Sequence, residues 1–231
     1  MNVKNHLPKI LLNCMFACLL LTMNVPAHGQ SKDQARRDNF QKIIDEYTAQ
    51  REKGEHGNPD VLFIGSSSFR LYIGFEEDYA GLNAVNLGFG GSQLSDVLYF
   101  FDELIEPYNP RQIIVYEGDN DLSAGMTVDE FMSDVKAFVR LVQIRKPGTH
   151  ISFLAPKPSP ARRAKLDLWK DSYKALYDYS LVTPHFDFID ISQPMFELDG
   201  QIKTEIWKSD SLHMNRKGYE IWAPIIRSYI R

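Results

Sequence analysis

Five short apolar runs punctuate this chain: VLFI at 61–64, AVNL at 84–87, QIIVY at 112–116, HISFLA at 150–155 and FDFID at 186–190. Each has the length and the β-branched or aromatic content of a strand. Between and after them lie segments of helical periodicity at 94–105, 128–144, 164–179 and 215–229. Strands joined through helices are parallel, and a parallel sheet is covered on both faces. The unbroken apolar character of the first and third runs agrees, since central strands of such a sheet have no wet side. The pattern predicts one α/β domain, a three-layer α/β/α sandwich around a five-stranded parallel sheet.

A sheet of this kind binds ligands beyond the carboxyl ends of its strands, where the strand order reverses. Four polar or glycine-rich stretches fall at that edge. GSSS (65–68) follows the first strand, GFGGS (88–92) the second and EGDND (117–121) the third, while DSLH (210–213) precedes the last helical segment.

The N-terminus reads differently. Lys4 and Lys9 precede an apolar run from 10 to 23, followed by small residues around Ala27 and Gly29, the layout of a cleaved secretory signal over residues 1–29. Asn13 and Thr22 interrupt the run, which falls short of the ~20 apolar residues of a spanning helix. Stable membrane insertion is therefore not expected once the leader is removed. The expected mature domain covers 30–231, with an N-terminal helical segment at 30–59 and a core at 60–231. Both cysteines, Cys14 and Cys18, lie in the leader, so no disulfide or thiol chemistry is expected of the mature chain. Taking Lys4 and Lys9 from the 26 basic residues leaves a net charge of −6 against 30 acids. That balance does not suit a nucleic-acid binder.

The four stretches also carry chemistry. Asp210 and His213 stand three residues apart, which on a helical turn puts both on one face. A carboxylate so placed holds the Nδ1 proton of the imidazole and leaves Nε2 free to take a proton from a hydroxyl. Asn120, between two aspartates at the end of the third strand, has an amide able to donate to an oxyanion. Its plainer reading is a turn. Gly88, Gly90 and Gly91 let a ligand approach the backbone, but Gln93 stands where a dinucleotide fingerprint needs its third glycine. Together the stretches supply a hydroxyl, a base, an orienting acid and oxyanion donors at one sheet edge.

In that order of blocks the sequence resembles the SGNH hydrolases, the GDSL-type lipases, esterases and acetylhydrolases. The resemblance runs from residue 61 to 213 and implies their flavodoxin-like fold. It also implies Ser67 as nucleophile, with Asp210 and His213 completing the triad, and the Ser67 amide, the Gly91 amide and the Asn120 side chain as oxyanion donors. One position departs from the pattern, because Ser66 stands where that family commonly has aspartate.

The sequence thus implies a secreted or periplasmic serine esterase that needs no cofactor or metal. It would act on short acyl esters, acetyl foremost, of a small molecule or a carbohydrate. A lipase or lysophospholipase, an acyltransferase, and a catalytically inactive glycan-binding module are the competing readings, and the oligomeric state stays open. Lys157 and Arg162, in KPSPARR after the fourth strand, are candidate substrate-binding cations, with a solvated helix start as the other reading. Trp169 and Trp207 fit either the site or the core. His56, His150 and His185 show no partner by spacing.

Overall fold

A computed structural model of the chain describes residues 27–231, with side chains from Asp33 onward. Two units are distinguished, Met1–Arg36 and Arg37–Arg231. Except for its last three residues, the expected leader, with Cys14 and Cys18, lies outside the described residues.

The strands are β1 (Val61–Gly65), β2 (Ala84–Asn86), β3 (Gln112–Tyr116), β4 (His150–Leu154) and β5 (Phe186–Ile189). The helices are α1 (Ala27–Glu52), α2 (Ser67–Arg70), α3 (Phe75–Asp78), α4 (Leu94–Tyr99), α5 (Phe101–Leu104), α6 (Asp119–Ser123), α7 (Val128–Arg145), α8 (Leu166–Ser180) and α9 (Arg216–Ser228). All strand pairs are parallel, in the order β2-β1-β3-β4-β5. Val61 stands opposite both Ala84 and Gln112, so β1 sits between β2 and β3. The chain steps from β1 outward to β2 and then back across to β3. That reversal opens a crevice at the carboxyl ends of these three strands.

Burial explains which strands read most clearly. Every residue of β1 and β3 is buried, as helices on both faces require, whereas the three residues of the edge strand β2 are half-exposed. Phe63 of β1 packs its ring against Phe69, Phe75 and Tyr79, with centroids 5.4, 5.0 and 4.7 Å away. Each large apolar side chain buried this way contributes roughly 1.5–3 kcal/mol.

The helical segments hold their expected positions with local changes. The segment at 94–105 divides at Phe100 into α4 and α5, and this break lets the consecutive rings of Phe100 and Phe101 both be buried. Residues Pro160–Lys165 form a 3₁₀ turn, so α8 starts only at Leu166. The single-turn helices α2, α3 and α6 are too short to leave a periodic signal. Thr127 caps α7 reciprocally, its Oγ1 accepting from the Glu130 amide at 3.2 Å while Glu130 Oε2 accepts from the Thr127 amide at 2.8 Å.

The last helix carries a functional consequence. Tyr219 of α9 donates its hydroxyl proton to the Ser68 carbonyl at 2.9 Å, and the Trp222 ring lies 5.0 Å from that of Tyr116. These contacts dock α9, and the 210–213 loop before it, at the end of β1.

Candidate active site

β1 ends in Gly65 because nothing larger fits: a Cβ there would run into the carbonyl oxygen of Tyr116 on β3. The chain then turns sharply. The Ser66 amide donates to the Tyr116 carbonyl at 3.1 Å, and the Ser66 carbonyl accepts from the amides of Phe69 and Arg70 at 3.0 and 3.1 Å, which starts α2. This turn sorts the three serines. Ser66 and Ser68 are 2% and 1% exposed, and only Ser67 reaches the crevice.

His213 Nε2 is 3.0 Å from Ser67 Oγ, and His213 Nδ1 is 2.6 Å from Asp210 Oδ2. The three side chains form a hydrogen-bonded line in the order the resemblance implies. The backbone under Asp210 and His213 differs from the expected helical turn. Asp210 Oδ1 accepts from the amides of Leu212 and His213, both at 2.9 Å, and Ser211 takes a positive φ of 55°. A carboxylate folding back on its own backbone makes a tighter turn than a helix and aims its second oxygen at the imidazole. The hydrogen bond from the His213 ring, aided by those two amides, holds the Asp210 carboxyl well below the ordinary carboxylate range. Asp210 is therefore ionised at neutral pH, as an orienting acid must be.

The loops after β2 and β3 close the crevice. Gly91 has φ +89°, a conformation that favours glycine, and it lines the same hollow as Ser67, Asn120 and His213. A Cβ added to Gly90 would lie 3.8 Å from that of Ser67, so this loop passes close to the serine. Asn120, in the first turn of α6, donates from Nδ2 to the Ser92 carbonyl at 2.9 Å, and its Oδ1 accepts from Arg162 Nη2 at 2.8 Å. Only one amide orientation satisfies both partners, since the flipped one would set oxygen against carbonyl and NH₂ against guanidinium.

Neither candidate substrate-binding cation lines the hollow that holds Ser67. Lys157 is buried, with Nζ 2.6 Å from Asp119 Oδ2, so its charge is spent on an interior carboxylate. Arg162 also pairs with Asp119, and through Asn120 Oδ1 it stands behind the crevice. Burial alone would raise the Asp119 pKa, but the charges of Lys157 and Arg162 outweigh it and hold the carboxyl below its usual range. Arg163 donates to Gln201 instead. The cation that does line the hollow is Arg70, exposed and one helical turn after Ser67, beside Leu71 and Leu212. Its i,i+3 spacing from the serine was the available sequence signal.

Trp207 is core, its indole donating to the Lys203 carbonyl at 2.6 Å, and Trp169 lines a separate cavity beside Lys157. His56 meets the Tyr108 hydroxyl at 2.6 Å and His150 meets Asp187 at 2.8 Å, both away from the crevice. Two acids beneath the site escaped the sequence reading as unusual groups. Glu117 Oε1 accepts from the Ser92 hydroxyl at 2.6 Å, and burial with the nearby Asp121 charge pushes its pKa well up. Burial raises Asp121 to about 6, although it accepts from the Leu94 and Gly118 amides at 2.8 and 2.9 Å.

A parallel sheet in the order 2-1-3-4-5, with serine, glycine, asparagine and histidine converging beyond β1, β2 and β3, defines an SGNH-type α/β hydrolase. The chain belongs to the GDSL-like Lipase/Acylhydrolase family, whose model matches residues 57–221. Its members hydrolyse acyl esters, and this is the general activity the family carries.

Solved structures share the fold at low identity. A Streptococcus pneumonia protein, provisionally described as a platelet activating factor, is 20% identical, with TM-score 0.73, over 88% of this chain and 98% of its own. A GDSL-like lipase from Bacteroides thetaiotaomicron is 17% identical, with TM-score 0.64, over 81% and 98%. An acetylxylan esterase from Geobacillus stearothermophilus is 16% identical, with TM-score 0.57, over 74% and 94%. None of the curated proteins compared matches the chain.

Proposed function

We propose that this protein is a secreted or periplasmic serine esterase that removes short acyl groups, acetyl foremost, from a polar alcohol such as a sugar. The observation that carries the chemistry is the continuous line from Ser67 Oγ through His213 to Asp210, at 3.0 and 2.6 Å. His213 Nε2 takes the Ser67 proton as Oγ attacks the acyl carbon. Asp210 keeps the imidazole proton on Nδ1 and stabilises the imidazolium that forms. The developing oxyanion is held by the Ser67 and Gly91 amides and by the Asn120 amide hydrogen not given to Ser92. Collapse expels the alcohol, which takes the proton from His213, and a water activated by the same base then cleaves the acyl-serine.

The short-acyl preference rests on the crevice rim. Leu71 and Leu212 offer apolar surface for a few carbons, and Arg70, lining the same hollow, offers a cation suited to a polar alcohol. Desolvating a fatty chain at ~0.8 kcal/mol per methylene needs a far longer apolar trough. The acetylxylan esterase among the structural neighbours is in keeping with an acetylated carbohydrate. Export is supported by Lys4, Lys9 and the apolar run after them. The test is hydrolysis of acetylated sugars and p-nitrophenyl esters by purified protein, with release of acetate measured directly. No acetate from any of these, with intact fold, would refute the proposal.

A further inference from the structure

The buried charge cluster behind the crevice has a geometry that a merely structural ion pair does not need. Lys157 already compensates Asp119 at 2.6 Å, with a side chain only 2% exposed. Arg162 brings a second cation to the same carboxylate, and with its other terminal nitrogen donates to Asn120 Oδ1 at 2.8 Å. The cluster of one anion and two cations thus ends on an amide that lines the same hollow as Ser67.

We infer that Arg162 is a positioning residue for ester hydrolysis, which orients and polarises the Asn120 amide as an oxyanion donor. Two restraints fix that amide. Arg162 holds Oδ1, and the Ser92 carbonyl takes one hydrogen of Nδ2 at 2.9 Å. The second Nδ2 hydrogen is left for the crevice that Asn120 shares with Ser67, Gly91 and His213. A guanidinium on the amide oxygen draws electron density from the amide nitrogen, so that hydrogen becomes a stronger donor. The donor is preorganised before negative charge appears, and its gain is realised in the transition state and not in the ground state. Arg162 itself does not line the Ser67 hollow, so it acts through Asn120 and not by touching substrate.

Asp119 fixes Arg162 in turn. Removing the guanidinium leaves Asp119 paired with Lys157, so the buried carboxylate keeps a cation. Lysine at 162 keeps the charge but has no fork to span Asp119 and Asn120 together.

This inference rests on the oxyanion role proposed for Asn120, and a double-mutant cycle separates the two. The variants are Arg162→Met, Arg162→Lys, Asn120→Ala and Arg162→Met with Asn120→Ala, assayed on p-nitrophenyl acetate, with Tm recorded for each. Arg162→Met is expected to lower kcat about 10- to 100-fold with KM within about twofold, and Arg162→Lys to recover only part of it. Asn120→Ala is expected to lower kcat by about 10² to 10³. On the Asn120→Ala background, Arg162→Met should cost less than about threefold more. An undiminished loss on that background, or a change confined to KM, would overturn the positioning role and leave the esterase reading standing. If Asn120→Ala alone leaves kcat unchanged, the oxyanion role fails and the inference falls with it.

Discussion

His213 Nε2 lies 3.0 Å from Ser67 Oγ although 146 residues separate them in the chain. The hydroxyl is held by the turn after β1, and the imidazole by a carboxylate-closed turn before α9. Their meeting depends on α9 being docked by Tyr219 and Trp222. Such an arrangement converts proton transfer from a collision into an intramolecular step.

Ser67→Ala should lower kcat by about 10⁴ to 10⁶ with little effect on Tm, in line with triad knockouts elsewhere. A fluorophosphonate should label Ser67 alone, since its two neighbours are buried. Mass spectrometry of the labelled peptide checks this, and an adduct on Ser66 or Ser68 would refute the assignment.

Asp210→Asn should lower kcat by about 10³ to 10⁴ while KM changes less than about twofold. The asparagine oxygen can still accept the Leu212 and His213 amides, so the turn remains. Its NH₂ would then face Nδ1 and favour the tautomer carrying a proton on Nε2, the nitrogen that must accept from Ser67. Steady-state kinetics beside an unchanged circular dichroism spectrum is the check.

Glu117→Gln should stabilise the protein increasingly as pH rises. The folded-state pKa of Glu117 lies above its unfolded value of ~4.3, so its favourable contribution is fully present below that value. It is lost as pH climbs from there through the folded pKa, because the buried carboxyl must ionise beside Asp121. Glutamine keeps the shape and cannot ionise. The Tm difference, variant minus wild type, should be near zero or negative at pH 4 and grow steadily toward pH 8. A constant difference across that range would show that Glu117 is not a raised acid.

Specificity should fall with acyl length. Across acetyl, butyryl, octanoyl and palmitoyl esters of one alcohol, kcat/KM should be highest for the shortest two. A rise toward palmitoyl would favour a lipase or lysophospholipase. Arg70→Ala should raise KM for an acetylated acidic sugar more than for an uncharged one, because Arg70 is the cation that lines the hollow beside Leu71 and Leu212.

The strands, the parallel sheet and the edge on which the site lies were determined by the sequence itself. Every connection between the strands is too long for a tight hairpin and three of them carry helical segments, which favours a parallel sheet, and a parallel sheet puts every strand-to-helix loop on one edge. The loops carrying Ser67, Gly91 and Asn120 therefore had to meet, and the local order of Asp210 and His213 supplied the remaining pair. Tertiary structure decided what each polar side chain faces. Lys157 and Arg162 look like surface cations in sequence, yet an aspartate 38 residues before Lys157 draws both behind the crevice. Arg70 passes unremarked in sequence and becomes the cation at the mouth. Which serine is presented was settled by the close approach of β1 to Tyr116, and the turn at 210–213 by a carboxylate bonding its own backbone. Periodicity reports which face of an element is apolar, and such a pattern is local. The direction of a charge depends on partners that only the folded chain brings within 3 Å.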